Sequence, residues 1–181
     1  MNRRLTLVQW VRQQHHGQLI KDTALPYFEH VLAVANIATA AAPLTYEIGL
    51  CHDLLEKTLL NKFQLSTQLE NIGYKSDEAE YISGCVAELT RHFTKTNNPL
   101  PKKERKELED ERLVYLSPDA QSVKYADLSY NADWMLVHDR HHAPDYLRRK
   151  IRLLEEMTGG DTKLRSQVLN QFRDLLNQLS R

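Results

Sequence analysis

Apolar residues recur along this chain at the spacing of an α-helix, and polar residues fill the positions between them. Leu5, Val8 and Val11 form one such stripe, and another follows Pro26, a residue suited to the first turn of a helix. No run of useful length alternates between apolar and polar residues as a half-buried strand does. The pattern predicts an all-α protein, with helices over about residues 5–15, 26–43, 45–56, 63–72, 77–92, 102–115, 118–134, 144–157 and from 161 onward.

The length of 181 residues suits one domain with a sizeable core, and we expect residues 1–181 to form it. With 41% hydrophobic and 27% charged residues, the composition is that of an ordinary globular protein. The last predicted helix follows a break at Gly159 and Gly160 and is amphipathic. We therefore expect it to pack on the outside of a helical bundle.

The balance of charge argues against several classes of partner. Formal net charge is +0 at pH 7, which favours neither a general nucleic-acid binder nor a membrane-surface binder. The longest apolar stretch, residues 31–43, is too short to cross a bilayer, and polar residues interrupt any signal-peptide core, so we expect a cytoplasmic location. Cys51 and Cys85 form no CxxC pair, which makes a disulfide scaffold or a zinc knuckle unexpected.

The candidate chemistry centres on His52 and Asp53, with Glu56 close behind, His30 before them and Asp127 after them. Neutral imidazole nitrogens and ionised carboxylates together suit a divalent first-row metal ion. If residues 45–56 form one helix, Glu56 shares a face with the His-Asp pair. Two ligands beside an unligated carboxylate predict a site at which a metal activates water.

A second polar stripe surrounds Asp127. Lys124, Asp127 and Asn131 are spaced by three and four residues, so on a helix they share one face. That face offers a cation, a carboxylate and an amide to one cleft, which suits a metal beside a phosphorylated ligand. Tyr27 precedes His30 by three residues and could stack on a base or bond a phosphate.

Three segments resemble, in order, motifs of the HD superfamily of metal-dependent phosphohydrolases. Residues 15–30 read His-His-Gly-Gln-Leu-Ile-Lys at their start and Pro-Tyr-Phe-Glu-His at their end. Residues 52–58 read His-Asp-Leu-Leu-Glu-Lys-Thr, and residues 123–131 read Val-Lys-Tyr-Ala-Asp-Leu-Ser-Tyr-Asn. Each segment is similar to a motif of one branch of this superfamily, which comprises the small alarmone hydrolases and the hydrolase half of the RelA/SpoT proteins. The motif region covers about residues 10–134, so the resemblance implies an HD-type bundle to which C-terminal helices over about 144–181 are added.

The resemblance also implies roles for individual residues. It implies a manganese ion held by His30, His52, Asp53 and Asp127. Glu56 would be half of a catalytic acidic pair. The residues around a nucleotide would be Lys21, Tyr27, Lys124 and Asn131. The implied reaction is hydrolysis of a nucleotide phosphate, with the 3′-diphosphate of ppGpp or pppGpp as the specific candidate and a small nucleotide as the partner.

Two positions depart from the family pattern. An arginine of the first motif is Ile20 here, and the second acid of the catalytic pair is Lys57. Three functions therefore stay open: an alarmone hydrolase, a catalytically impaired module that binds a nucleotide, and a nucleotidase of another specificity. Lys57 either faces the site or points outward. The sequence leaves the oligomeric state open.

Several other polar residues have simpler interpretations. His138, His141 and His142 flank charged residues before a proline, which favours a polar turn over a metal cluster. His15 and His16 are expected to end the first helix. The basic residues between Arg91 and Lys106 precede a run of acids, so a solvated helix of compensating charge is favoured over a phosphate site.

Overall fold

The computed structural model describes residues 2–179, and within that range it contains ten helices and no strand. The prediction of an all-α protein is confirmed. The helices are α1 Arg3–Gln14, α2 Tyr27–Ala38, α3 Thr45–Cys51, α4 Leu54–Lys57, α5 Lys62–Ile72, α6 Ser76–Leu89, α7 Lys102–Leu113, α8 Pro118–His138, α9 Ala143–Glu156 and α10 Thr162–Leu179.

Helices α2, α3 and α8 pack against one another and carry the core under the candidate site. Val31, Ile48 and Leu128 are buried between them. Gly49 permits the close approach of α2 and α3, because a Cβ atom there would lie 2.9 Å from the Ala35 Cα. This approach brings the start of α2 beside the end of α3, where the two candidate histidines lie.

Several helix ends have the capping groups that their residues predict. Asn61 accepts a hydrogen bond from the Gln64 backbone N–H at the start of α5, and Gly73 ends that helix with a φ of 108°. Asp161 accepts a 2.7 Å bond from the Leu164 N–H at the start of α10. These contacts explain why the predicted boundaries of the two helices lie close to the observed ones.

The expectation of one helix over residues 45–56 is wrong. Helix α3 ends at Cys51, His52 and Asp53 form a turn, and α4 begins at Leu54. The His52 ring is bonded to the Gly49 carbonyl, and Asp53 has a φ of −102° and a ψ of 0°. The turn, rather than a continuous helical face, therefore orients the His-Asp pair.

The last two helices cover one side of the bundle. Helix α10 packs on α8 and α9, with Val168 and Phe172 buried and its other face exposed, as predicted. The Tyr125 hydroxyl donates a 2.7 Å bond to the Met157 carbonyl, which joins the end of α9 to α8. None of the described helices combines the length and the apolar character needed to cross a membrane.

Candidate functional site

Four side chains from three separate segments of the chain converge at one point, and three of them are buried. His30 Nε2 lies 3.5 Å from Asp127 Oδ1 and 3.8 Å from Asp53 Oδ2. His52 Nε2 lies 3.5 Å from Asp53 Oδ2 and 3.9 Å from Asp127 Oδ1. Ligand atoms that bind one divalent ion, each at about 2.0–2.2 Å, have comparable mutual separations. The structure thus brings together all four residues for which the sequence predicts metal ligation.

The orientation of His52 tests whether a cation fits this cluster. Its Nδ1 lies 2.7 Å from the Gly49 carbonyl oxygen, which can only accept a hydrogen bond, so Nδ1 carries the proton. The lone pair of a neutral ring is then on Nε2, a buried atom without a hydrogen-bond partner. This lone pair faces carboxylate oxygens, and a bound cation satisfies both groups. The donor set fits a divalent metal ion.

The charge states in the cluster also suit a metal. Burial, and after it the nearby His52, lowers the pKa of His30 to about 4, which keeps its ring neutral near pH 7. Burial would raise the pKa of Asp53, but His52 and the Tyr27 hydroxyl outweigh it and lower that pKa. Burial would also raise the pKa of Asp127, but Lys124 and, after it, the two histidines outweigh this effect and lower that pKa. Two carboxylates therefore face the neutral ring of His30 and the buried Nε2 of His52.

A set of neighbouring side chains holds the candidate ligands in place. The Tyr27 hydroxyl donates to Asp53 Oδ2. Lys124 Nζ lies 2.7 Å from Asp127 Oδ2, and Asn131 Nδ2 donates to Asp127 Oδ1 over 2.7 Å. Lys124, Asp127 and Asn131 therefore share one face of α8, as their spacing predicts. Tyr27, Lys124 and Asn131 line the cleft, and in the observed geometry each also bonds a candidate ligand.

Glu56 lies at the edge of this cluster and is paired with cations. Its Oε1 is 3.2 Å from Lys57 Nζ and 3.9 Å from Arg91 Nη2. All three residues line the cleft, so Lys57 faces the site and does not point away from it. Lys57 Nζ also lies 5.9 Å from the centroid of the Tyr27 ring. The residue that departs from the family pattern thus contacts the predicted catalytic carboxylate directly.

The cluster opens into a cleft of about 700 Å³, within the usual size range of small-molecule sites. In the described part of the chain, nine basic side chains line it against five acidic ones. We call four of them the basic wall: Lys95, Lys102, Arg105 and Lys106. Helix α7 is exposed on this side and pairs Lys103 with Glu107, as the favoured interpretation of a solvated helix predicts. The basic wall also lines the cleft, which that interpretation did not predict.

Other predicted positions lie farther out. Lys21 is outside the lining of the cleft, with its Nζ 3.5 Å from Asp22 and 6.0 Å from the centroid of the Trp134 ring, so its contact with a nucleotide stays a prediction. Ile20, which replaces the arginine of the family pattern, is only 6% exposed and is not part of the cleft lining. Of the three histidines predicted to form a polar turn, His141 and His142 lie in the turn between α8 and α9, where exposed His142 bonds Asp139, whereas His138 is the last residue of α8.

Sequence reasoning missed His15 and Gln18. His15 is 2% exposed, and its ring lies 5.3 Å from the Tyr27 ring. Its Nδ1 is 2.9 Å from Gln18 Oε1, and Gln18 Nε2 donates to the Lys57 carbonyl over 2.9 Å. The end of α1 is thereby tied to the α4 segment that carries Glu56. The signals in the sequence were their place in the first of the three motifs and their spacing of three residues.

The basic side of the cleft contains another residue that the sequence did not reveal. Lys150 is 7% exposed, and its Nζ lies 2.6 Å from Asp110 Oδ1. Burial lowers the pKa of Lys150 to about 8, although Asp110 opposes this shift. No local pattern marks a buried lysine on a charged amphipathic helix, so only the packing of α9 on α7 could identify it.

The fold and the buried His/Asp cluster define an HD-type hydrolase. A solved structure described as a metazoan ortholog of SpoT that hydrolyses ppGpp has the same fold, with a TM-score of 0.73 and 22% sequence identity. That match covers 96% of this chain and 95% of the other. No family model matches the chain.

Curated relatives point to the same group. The chain is 28% identical to the Homo sapiens guanosine-3′,5′-bis(diphosphate) 3′-pyrophosphohydrolase MESH1, over 93% of this chain and 92% of that protein. The Xenopus tropicalis MESH1 is 31% identical over 70% of this chain and 66% of its own length. The chain is an HD-type hydrolase related to the alarmone hydrolases, as the three sequence motifs predict.

Proposed function

We propose that this protein is a manganese-dependent phosphohydrolase that removes the 3′-diphosphate of ppGpp or pppGpp. The observation that carries the proposal is the convergence of His30, His52, Asp53 and Asp127 on one point, with a buried His52 Nε2 that has no hydrogen-bond partner among them. The likeness to MESH1 over nearly the whole chain supports the choice of substrate.

The four converging residues would hold the ion. Mixed nitrogen and oxygen donors suit manganese, iron or zinc, and the family resemblance favours manganese. When bound, the ion would supply the activation of water and the neutralisation of phosphate charge that this reaction needs. Tyr27 fixes Asp53, while Lys124 and Asn131 each hold one oxygen of Asp127, so the carboxylates are oriented before a ligand arrives.

Glu56 is the residue that we assign to proton transfer. Lys57 occupies its Oε1, which leaves Oε2 to orient the attacking water and accept its proton. Arg91 lies on the same side of the carboxylate. Lys57 and Arg91, the cations near Glu56, would also attract the phosphate groups of a nucleotide.

A second candidate function is nucleotide binding without efficient hydrolysis. The contact between Lys57 and Glu56 favours it, because an ammonium group occupies the side chain to which we assign proton transfer. In both functions the ligand is a small nucleotide and not a nucleic acid, since the excess positive charge is confined to a cleft. We place the protein in the cytoplasm, and its two buried free cysteines suit a reducing compartment.

The test is a panel of nucleotides incubated with manganese-loaded protein, with Glu56→Gln as the companion variant. The hydrolase function predicts release of pyrophosphate from ppGpp and little release of phosphate from ATP, GTP or nucleoside monophosphates. Turnover of simple nucleotides alone would contradict the substrate assignment. Tight binding of ppGpp without turnover would favour the binding module.

A further inference from the structure

A groove between α1 and α5 lies outside the cleft. It has a volume of about 300 Å³ and is lined by Trp10 and Gln14 of α1 and by Phe63, Gln64 and Gln68 of α5. None of the described residues that line this groove also lines the cleft. We call the surface formed by these five residues and Leu60 the α1–α5 face.

This face exposes large apolar side chains to solvent. Phe63 is 78% exposed, and Leu59, next to Leu60 at the edge of the groove, is fully exposed. The buried side of α5 is supplied by Leu65 and Leu69, so the core does not need Phe63. Exposed apolar surface of this kind, bordered by polar residues, is typical of a site of protein association.

The face also lacks free charge. In residues 5–14 and 58–69, which supply the groove, the only charged side chains are Arg12 and Lys62, although 27% of the residues in the whole chain are charged. The Arg12 guanidinium lies 4.5 Å from the centroid of the Phe28 ring, and Lys62 Nζ lies 2.5 Å from Glu80 Oε1. An uncharged surface can contact an identical surface without repulsion between like charges.

The polar groups of the face are self-complementary. Within residues 2–179, the side-chain amides of Gln14 and Gln68 form no hydrogen bond with the protein. Each amide carries a donor and an acceptor, so two copies of the same amide can pair across a two-fold axis. The exposed Phe63 ring and the groove lie on the same face, which is the arrangement that a two-fold contact requires. These properties favour a second copy of this chain as the partner.

The size of the face predicts weak association. Standard interfaces use about 20–30 residues on each side and bury about 800 Å² per partner. The α1–α5 face and its border supply about a dozen residues, which corresponds to roughly 400 Å² per copy. This is the low end of specific contacts, so we expect a dissociation constant of about 10–100 µM.

We propose that the α1–α5 face is the interface of a weak homodimer with two-fold symmetry, in which the Phe63 side chain of each copy enters the groove of the other. Because the groove and the cleft share no lining residue, both clefts stay open in this dimer. The inference does not depend on which substrate the cleft accepts.

Analytical ultracentrifugation of the full chain between about 5 and 500 µM measures this association. Wild type and Tyr115→Ser should have the same dissociation constant, whereas Phe63→Ser should raise it at least about tenfold. Tyr115 is the matched control because it is 88% exposed and lines neither the groove nor the cleft. Both substitutions are at exposed positions, so the circular dichroism spectrum should not change.

Two results would overturn the inference. Wild type that stays monomeric at about 500 µM would exclude the homodimer and leave the face to a different protein. A dimer that is equally stable in Phe63→Ser and Tyr115→Ser would show that the contact lies elsewhere on the surface.

A pair of charged variants tests the two-fold symmetry without altering Phe63. Gln68→Lys and Gln68→Glu each place like charges on both sides of the contact, so each alone should dimerise at least about fivefold more weakly than wild type. An equimolar mixture of the two should regain most of the lost affinity, because opposite charges then meet. A mixture that dimerises no better than its two components would contradict the symmetric contact.

Discussion

Replacing Lys124 by glutamine tests how firmly the protein holds Asp127 for a metal ion. The Lys124 ammonium lies 2.7 Å from Asp127 Oδ2 and is the largest influence that lowers the pKa of this carboxyl against the penalty of burial. Glutamine keeps most of the length of the side chain but removes the charge. Asp127 is buried, so water cannot replace the lost interaction freely.

The expected magnitude follows from the role of such neighbours. Groups that orient a metal ligand typically contribute about 10- to 100-fold to metal affinity, or about 1.4–2.7 kcal/mol. Asn131 still donates to Asp127 Oδ1, so we expect weakened manganese binding and not its complete loss. Without Lys124 the pKa of Asp127 rises, and protons then compete with the metal. The defect should therefore grow as the pH falls from 7 towards 5.

Calorimetric titration of manganese into metal-free wild type, Lys124→Gln and Lys103→Gln measures this directly. Lys103→Gln removes the same charge from an exposed position on α7 and should bind manganese as wild type does. Affinities for wild type and Lys124→Gln that agree within about twofold at both pH 7 and pH 5.5 would refute the reasoning.

Three further results are expected. Glu56→Gln should keep its manganese and reduce ppGpp turnover by about 100-fold or more in a pyrophosphate-release assay, and an unchanged rate would remove Glu56 from the mechanism. Lys57→Asp should raise ppGpp hydrolysis by at least about tenfold, because it removes the ammonium from Glu56 Oε1, whereas Lys62→Asp should have no effect; equal rates would show that Lys57 does not limit the reaction. In the metal-free folded protein the pKa of His30 is lowered to about 4. As the pH falls, the unfolded chain therefore binds a proton at this residue at a higher pH than the folded chain does. Metal-free protein should therefore lose up to about 3 kcal/mol of unfolding free energy between pH 6.5 and pH 4, measured with urea, and His30→Gln should lose less; parallel losses would contradict this assignment.

Much of the fold could be predicted because its signals are local. Helix α5 begins at a capping asparagine and ends at a glycine, and Pro26 precedes α2, so periodicity and capping residues locate both helices. The four converging residues could be predicted from their order in the chain only through the family resemblance. Spacing alone says nothing about how residues 30, 52 and 127 approach one another.

The features that could not be predicted depend on tertiary contacts. The break between α3 and α4 accompanies the bond from His52 to the Gly49 carbonyl, and the periodicity of residues 45–56 conceals it. The position of the basic wall beside the cleft was not predicted, because it depends on how α9 packs on α7. The structure pairs Asp110 of α7 with Arg149 and Lys150 from α9, and a sum of charge along the segment does not include such contacts.

Metal content tests the central claim most directly. Wild type, His52→Ala and His142→Ala should be loaded with manganese, desalted and measured by elemental analysis. His142 is the matched control because its ring is exposed and bonded to Asp139, away from the cluster. The account predicts about one manganese ion per chain in wild type and His142→Ala and almost none in His52→Ala. Equal metal content in the two variants would contradict it.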